Sequence, residues 1–83
     1  MFYVYIIYSK LIDQYYIGST ANLIDRLYRH RNSGSKSTKK VKDWELLYSK
    51  EFESRKLAVQ AEMKIKAMKS REYISQLIQS KPK

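Results

Sequence analysis

The sequence predicts a small α+β fold, a mixed α/β arrangement whose elements follow the order β-β-α-β-α-α. Three observations support this order. Residues 2–8 are β-branched or aromatic throughout, which is typical of a strand. The pattern changes to helical spacing after Gly18, with Leu23 and Leu27 one turn apart. Residues 55–69 contain neither glycine nor proline, as expected of a long helix.

The first half of the chain is predicted to form a hairpin followed by a helix. Residues 2–8 are apolar on both faces, which indicates a central strand that is covered on both sides. Residues 15–17 form a second strand that can pair with the first strand in an antiparallel hairpin. Asn22 is a favoured N-cap, so a helix is expected from Leu23 to near residues 32–34.

The second half is predicted to hold one strand and two helices. The third strand is expected at residues 44–49, and Ser54 can cap the long helix that follows it. Ser70 can cap a last short helix over residues 71 to about 78. Beyond this helix, residues 79–83 are expected to fray.

Composition narrows the possible functions. The 83 residues include 17 Lys+Arg against 8 Asp+Glu, a formal net charge of +9, which makes nucleic acid the first candidate partner. The alternative is that this charge only confers solubility. With no cysteine and one histidine, a disulfide framework, a thiolate metal site and a histidine cage are excluded, so a metal must bind to oxygen. The length predicts one domain over residues 1–83.

The sequence contains no predicted targeting or membrane segment. The longest uncharged run near the amino terminus, residues 2–9, has no basic segment before it and no small-residue cleavage site after it. It is also much shorter than the ~20 residues of a membrane-spanning helix. We therefore expect a cytoplasmic protein without a membrane partner. The oligomeric state is left open.

Glu62 is the acidic residue that stands out as a candidate metal ligand. On a helical wheel it falls between Ala58 and Val59, so its carboxylate has apolar neighbours. Hydrolysis of a phosphodiester uses a base, a cation that offsets phosphate charge, and commonly a divalent metal held by a carboxylate. The simpler interpretation is an exposed ion pair between Glu62 and Lys66, one turn away. Both interpretations stay open at this point.

The first helix and the tyrosines are the other candidates for chemistry. Arg26, Arg29 and His30 fall on one sector of the helix, which can present a guanidinium and an imidazole together. Periodicity alone favours an ordinary solvated face. Tyr5 and Tyr16 can lie across the hairpin from each other, although strand tyrosines mostly belong to the core. A phenol, with a pKa of ~10, becomes a general base only where a cation favours phenolate.

Together these residues resemble the GIY-YIG nuclease superfamily over nearly the whole chain. Residues 3–5 read Tyr-Val-Tyr at the first half-motif, and residues 16–18 read Tyr-Ile-Gly at the second. Arg26 stands at the position of the family's arginine, and His30 stands where many members carry histidine. Glu62 falls on the long helix after the third strand, where the family keeps its metal-binding glutamate.

The resemblance implies a fold, an activity and a role for each residue. The fold would be a three-stranded antiparallel sheet flanked by helices, and the activity would be cleavage of DNA with one divalent cation, Mg²⁺ or Mn²⁺. Tyr5 and Tyr16 would be paired phenols, one of them the general base. Arg26 would hold the scissile phosphate and Glu62 would bind the metal. His30 would be an auxiliary polar group or a proton relay.

The chain also departs from the family pattern. Tyr3 replaces the glycine of the first half-motif, and Ser19 stands where the excision nucleases carry a lysine. Family enzymes generally use an additional DNA-binding domain, for which 83 residues leave no room. We therefore expect selection of DNA structure rather than sequence, or delivery by a targeting protein, in repair or recombination. A catalytically silent nucleic-acid-binding module of the same fold is the alternative.

Several basic side chains are candidates for binding the DNA backbone. Residues 34–42 are rich in lysine and serine and are expected to form a flexible loop. Each cation that contacts a duplex phosphate adds a little under one unit, ~0.9, to the salt dependence of binding. The candidates on this loop, the first helix and the long helix are Lys36, Lys39, Lys40, Lys42, Arg29 and Lys66.

Overall fold

The sheet has three antiparallel strands and carries helices on both faces, as predicted. A computed structural model describes residues 1–32 and 41–80. The order of elements is β-β-α-β-α-α. The strands are β1 (Phe2–Ser9), β2 (Gln14–Thr20) and β3 (Glu45–Phe52), and the helices are α1 (Leu23–Asn32), α2 (Arg55–Met68) and α3 (Arg71–Ser80).

The first strand, β1, lies at the centre of the sheet. The strand order is β2-β1-β3, and β1 pairs antiparallel with both neighbours. Its four middle residues are almost inaccessible to solvent, because both faces of the strand are covered. These residues are Val4, Tyr5, Ile6 and Ile7. The prediction of a central strand covered on both sides is therefore confirmed.

One face of the sheet packs against α2 and α3. Val4 and Ile6 point to this face because successive side chains of a strand alternate between its two sides. They form a core cluster with Ala58 and Ile65 of α2 and with Ile74 of α3. This packing fixes the position of α2, which carries Glu62, against the sheet.

The opposite face packs against α1 and the segment before β3. Tyr5 and Ile7 point to this side and form a second cluster with Trp44. Leu23 and Leu27 of α1 pack against the same cluster. The α1 helix, which carries Arg26 and His30, is thereby held on the side of the sheet opposite α2.

Each helix begins at its predicted N-cap. The side-chain oxygens of Asn22, Ser54 and Ser70 each accept a hydrogen bond from the backbone N–H three residues further on, at 3.0, 3.3 and 3.2 Å. The α2 helix ends at Met68, and its C-cap residue Lys69 adopts the left-handed conformation with φ of 49°. The α3 helix continues to Ser80, beyond its predicted end near residue 78. Across the described ranges, no helix has the length and apolar character needed to cross a membrane.

The third strand is longer than predicted and forms one edge of the sheet. It starts after Trp44, which is buried, and continues to Phe52, which pairs with Phe2. Charged residues in this strand lower its local β-propensity, but pairing with β1 extends it. The exposed charged side chains of this edge strand are Glu45, Lys50 and Glu51.

Candidate functional site

A buried hydrogen bond joins Tyr5 of β1 to His30 of α1. The Tyr5 hydroxyl oxygen lies 2.9 Å from His30 Nε2, and the two residues are 1% and 3% exposed. Tyr16 of β2 contacts the same imidazole, with its ring centroid 5.0 Å from that of His30 in an edge-on arrangement. Two of the predicted phenols and the predicted histidine therefore lie in one cluster on the α1 face of the sheet.

The burial of His30 differs from the sequence expectation, which placed it on a polar face with the helix arginines. Leu23, Leu27 and His30 are spaced four and three residues apart, so they share the face of α1 that packs on the sheet. Ile24 and Tyr28, which are apolar, lie on the exposed side of the helix instead. The arginines of α1 are also exposed, so guanidinium and imidazole do not form one solvated face.

Gly18, the glycine of the second half-motif, allows Tyr5 to reach its position. Gly18 pairs with Tyr5 across the hairpin, and Tyr16 pairs with Ile7, so the two phenols are diagonal neighbours rather than directly opposed. A Cβ atom on Gly18 would lie 2.5 Å from the Tyr5 hydroxyl oxygen and 2.7 Å from Cζ. Glycine is needed here because the phenol passes directly over the backbone.

The pKa values of Tyr5 and His30 shift in opposite directions and favour the neutral form of both groups. Burial raises the pKa of Tyr5, with smaller contributions from Tyr16 and Glu62, while Arg26 opposes the rise. Burial also lowers the pKa of His30, and Arg26 lowers it further. Tyr5 therefore interacts electrostatically with Tyr16, Arg26 and Glu62, and His30 interacts with Arg26.

The lowered pKa of His30 predicts a specific pH dependence of stability. The unfolded chain takes up the imidazole proton near pH ~6.5, whereas the folded chain resists it. The stabilisation is therefore complete above ~6.5 and is lost as the pH falls through the folded pKa. Between pH 7.5 and 5.5, we expect the unfolding free energy to fall by at most about 1.4 kcal/mol per pH unit.

Urea unfolding of the His30→Gln variant should show a flatter profile over the same range. Asp13 and Asp43 have pKa values below the ordinary carboxyl range, so they titrate at lower pH. Tyr5→Phe is the matched control, because it removes the hydrogen bond but leaves His30 buried. Equal slopes for the parent protein and His30→Gln would contradict this prediction.

Glu62 of α2 has two partners that hold its carboxylate in place. Ser19 of β2 donates a hydrogen bond from Oγ to Oε1 at 2.7 Å. Lys66 Nζ lies 2.6 Å from Oε2, so the predicted ion pair between Glu62 and Lys66 is present. The Glu62 side chain is only 17% exposed, whereas that of Lys66 is 51% exposed. The carboxylate is thus fixed at the edge of the sheet by a bond from β2.

A divalent metal bound at Glu62 would have this one carboxylate as its acidic protein ligand. Within residues 1–32 and 41–80, no group of three or more His, Cys, Asp or Glu side chains could hold a metal. Mg²⁺ often retains several waters and binds through one or two carboxylates together with substrate phosphates. Glu62 fits this binding mode with a single carboxylate. Its Oε1 accepts a hydrogen bond from the Ser19 hydroxyl, a neutral group that leaves the charge of the carboxylate in place.

Arg26 lines a cleft at the end of β2 that the sequence did not indicate. The cleft has a volume of about 230 Å³ and is also lined by Ser19, Thr20 and Arg55. Ser19 connects it to Glu62, because the same hydroxyl donates to that carboxylate. Arg26 and Glu62 therefore approach the edge strand β2 from the two sides of the sheet.

Arg55 is a cleft residue that was not predicted, although the sequence holds a signal for it. Arg55 is the first residue of α2, and the first turn of this helix contains no acidic residue. A cation at a helix N-terminus is unfavourable because of the helix dipole. An arginine at this position, with no acid in the first turn of the helix, is a feature that the sequence alone displays.

The predicted DNA-binding cations are dispersed where the structure describes them. Arg29 lies 3.4 Å from Asp25, and Lys66 is bound to Glu62. Lys42 is exposed and precedes Asp43, which accepts a hydrogen bond from the hairpin turn. This turn lies at the opposite end of β2 from Ser19, roughly 17 Å away along the strand. Three further candidates lie outside the described residues, namely Lys36, Lys39 and Lys40.

Comparison with known proteins identifies the family. The family model described as the GIY-YIG catalytic domain matches residues 1–74. Searches of curated proteins and of solved structures gave no significant match. The matched range includes both half-motifs, the arginine of α1 and the glutamate of α2. The chain therefore belongs to the GIY-YIG family of nuclease domains.

Proposed function

We propose that the protein is an endonuclease that hydrolyses DNA phosphodiester bonds with the help of Mg²⁺ or Mn²⁺. The observation that carries this proposal is the convergence of Arg26 and the Ser19–Glu62 pair on the edge strand β2, beside the Tyr5–His30 pair. We also propose that it selects DNA structure rather than sequence, in repair or recombination, and acts in the cytoplasm, alone or with a targeting protein.

Arg26 is assigned to the scissile phosphate. Its side chain is exposed on the cleft, and within the described residues no carboxylate lies within 4 Å of its guanidinium. A guanidinium matches the geometry of phosphate oxygens and can donate two parallel hydrogen bonds. Arg26 would bind the phosphate and stabilise the negative charge that develops as water attacks.

Tyr16 is assigned as the phenol that contacts the attacking water. It is half-buried, whereas Tyr5 is almost completely buried and its raised pKa disfavours phenolate. In this role Tyr16 acts as the phenolate: it takes a proton from the water as the bond to phosphorus forms, and the leaving oxygen takes a proton from solvent as its bond to phosphorus breaks. Tyr5 would hold His30 in place, and His30 remains a candidate relay through their hydrogen bond.

Glu62 is assigned to the metal, with Ser19 orienting its carboxylate. A bound divalent cation would supply Lewis-acid stabilisation of phosphate charge and of the leaving oxygen. Lys66 holds Oε2 and offsets the negative charge of the carboxylate. Its side chain is half exposed, so solvent partly screens this ion pair and the ammonium group can move towards water.

The Lys66–Glu62 contact also favours a second candidate function. Lys66 occupies Oε2 of the proposed metal ligand and offsets its charge, which would weaken metal binding and so favour a module that binds nucleic acid without cutting it. The basic composition of the chain suits this role equally well. Such a module would bind DNA or RNA tightly and with strong salt dependence, without turnover, and Glu62→Gln would leave its binding unchanged.

A cleavage panel tests the proposed function. The purified protein should cut at least one labelled DNA among intact, nicked, flapped and branched duplexes when Mg²⁺ or Mn²⁺ is added. Glu62→Gln should reduce the rate by roughly 100-fold or more, because an amide is a poor ligand for a hard cation. The melting temperature should change little, because the amide oxygen can still accept the Ser19 hydrogen bond.

Glu53→Gln is the matched control, since it makes the same substitution at an exposed position before α2. Its cleavage rate should equal that of the parent protein. Intact DNA throughout the panel would refute the nuclease assignment, as would undiminished cutting by Glu62→Gln. Salt-sensitive binding without cleavage would establish the silent module instead.

A further inference from the structure

A second guanidinium, that of Arg55, lies on the same cleft as Arg26. The two arginines come from different helices, α1 and α2, which lie on opposite faces of the sheet. Ser19 and Thr20, at the end of β2, contribute hydroxyl groups to the same cleft. The fold therefore brings two cations together at one end of the edge strand.

Neither guanidinium on this cleft forms an ion pair with a described carboxylate. Within residues 1–32 and 41–80, no carboxylate lies within 4 Å of Arg26 or Arg55. Arg55 also occupies the first position of α2, where the helix dipole opposes a positive charge and the first turn has no acid. An anion in the cleft would relieve both effects, because it attracts the two guanidinium groups at once.

The rest of the cleft wall is apolar. Phe2, Ala58 and Val59 line it beside the arginines and the hydroxyl groups. Inorganic phosphate can pair with the two arginines but has no apolar part that would pack against these three side chains. A nucleic acid backbone offers a sugar between successive phosphates, which matches a cleft that combines cations with apolar side chains. Recognition of this kind reads the backbone and carries no base sequence.

We propose that Arg55 binds the DNA phosphate adjacent to the scissile phosphate, and that the intervening sugar packs on the apolar wall. This assignment rests on the proposed function, because it takes the phosphate held by Arg26 as the scissile one. Arg55 is thus a substrate-binding residue that sets the register of the strand. The substrate class is a backbone with two successive charged phosphates, without a requirement for particular bases.

Single methylphosphonate substitutions test this proposal, because each removes the charge of one phosphate. The probe is a flapped duplex whose junction fixes the register, and binding is measured by fluorescence anisotropy in the Glu62→Gln background. Neutralising the phosphate that contacts Arg55 should weaken binding roughly fivefold to tenfold. Adding Arg55→Ala should weaken binding to the unmodified probe by a similar factor and abolish the penalty at that phosphate.

Two further variants separate this contact from a general charge effect. Arg55→Lys keeps the charge and should retain part of the penalty. Lys56→Ala removes the neighbouring cation of α2, which does not line the cleft, and should leave the penalty intact. The melting temperature of Arg55→Ala should be unchanged or higher, because a cation is removed from the helix N-terminus.

Equal effects of Arg55→Ala and Lys56→Ala at every phosphate would overturn the proposal. A lower melting temperature for Arg55→Ala, without rescue by lysine, would assign Arg55 a structural role and would also overturn it. If the parent protein cleaves DNA but Arg55→Ala leaves the penalty at every phosphate unchanged, the Arg55 proposal fails and the nuclease assignment stands. If Arg55→Ala abolishes the penalty at one phosphate but the parent protein cleaves no DNA, Arg55 still binds a phosphate and the nuclease assignment fails.

Discussion

Arg26→Ala should lower the turnover of DNA cleavage by about 10²–10³-fold, the effect expected when one donor to a developing negative charge is removed. The side chain is exposed and lies on the cleft beside Ser19, which binds Glu62. The loss should appear in kcat as well as in KM, because the guanidinium interacts most strongly with the transition state. Single-turnover cleavage with saturating protein measures this effect without a contribution from DNA binding.

Two control variants, Arg26→Lys and Lys56→Ala, separate the role of the guanidinium from a general effect of positive charge. Arg26→Lys keeps the charge but loses the planar pair of donors, so it should recover only part of the rate. Lys56→Ala removes one positive charge outside the cleft and should cleave at the parent rate. The assignment of Arg26 to the scissile phosphate fails if Arg26→Ala cleaves within about threefold of the parent.

Gly18→Ala should destabilise the protein by about 1–3 kcal/mol, as overpacking in a core commonly does. The added methyl would approach the Tyr5 hydroxyl to 2.5 Å, and Tyr5 is too tightly packed to move freely. The phenol must therefore shift, which strains its 2.9 Å bond to His30. Thermal unfolding should show a loss of roughly 4–8 °C for each kcal/mol in a domain of this size.

Tyr5→Phe provides the second arm of a double-mutant cycle. Alone, it should destabilise the protein, because it deprives buried His30 of a hydrogen-bond partner. In the Gly18→Ala background it should cost less than it does alone, because it removes the atom nearest to the new methyl, although the ring carbon Cζ remains 2.7 Å from the methyl position. Additive effects of the two substitutions, or a Gly18→Ala variant as stable as the parent, would refute the close-approach explanation.

The elements that the sequence predicted best are those set by local chemistry. Asn22, Ser54 and Ser70 each cap a helix at the predicted position, because a cap depends on residues within one turn. Strand ends were less accurate. Phe52 belongs to β3 because it pairs with Phe2, a partner 50 positions away in the chain. No local signal in the sequence reports such a pairing.

The candidate site was predictable in its residues but not in its contacts. The family resemblance identified the five candidates Tyr5, Tyr16, Arg26, His30 and Glu62, whereas their contacts come from the structure. The burial of His30 follows from helical periodicity with the leucines of α1, a signal present in the sequence. The bond from Ser19 to Glu62 joins β2 to α2 and depends on how the two elements pack. The proximity of Arg55 to Arg26 depends on that packing as well.

The charged edge of the sheet has a consequence for behaviour at high concentration. A strand with free backbone groups can pair with the same strand of another molecule and start aggregation. In β3 this edge carries Glu45, Lys50 and Glu51 in exposed positions. Stacking a second copy alongside would desolvate these charges or bring like charges together. The β3 strand thus opposes the growth of intermolecular sheets from its own edge of the sheet.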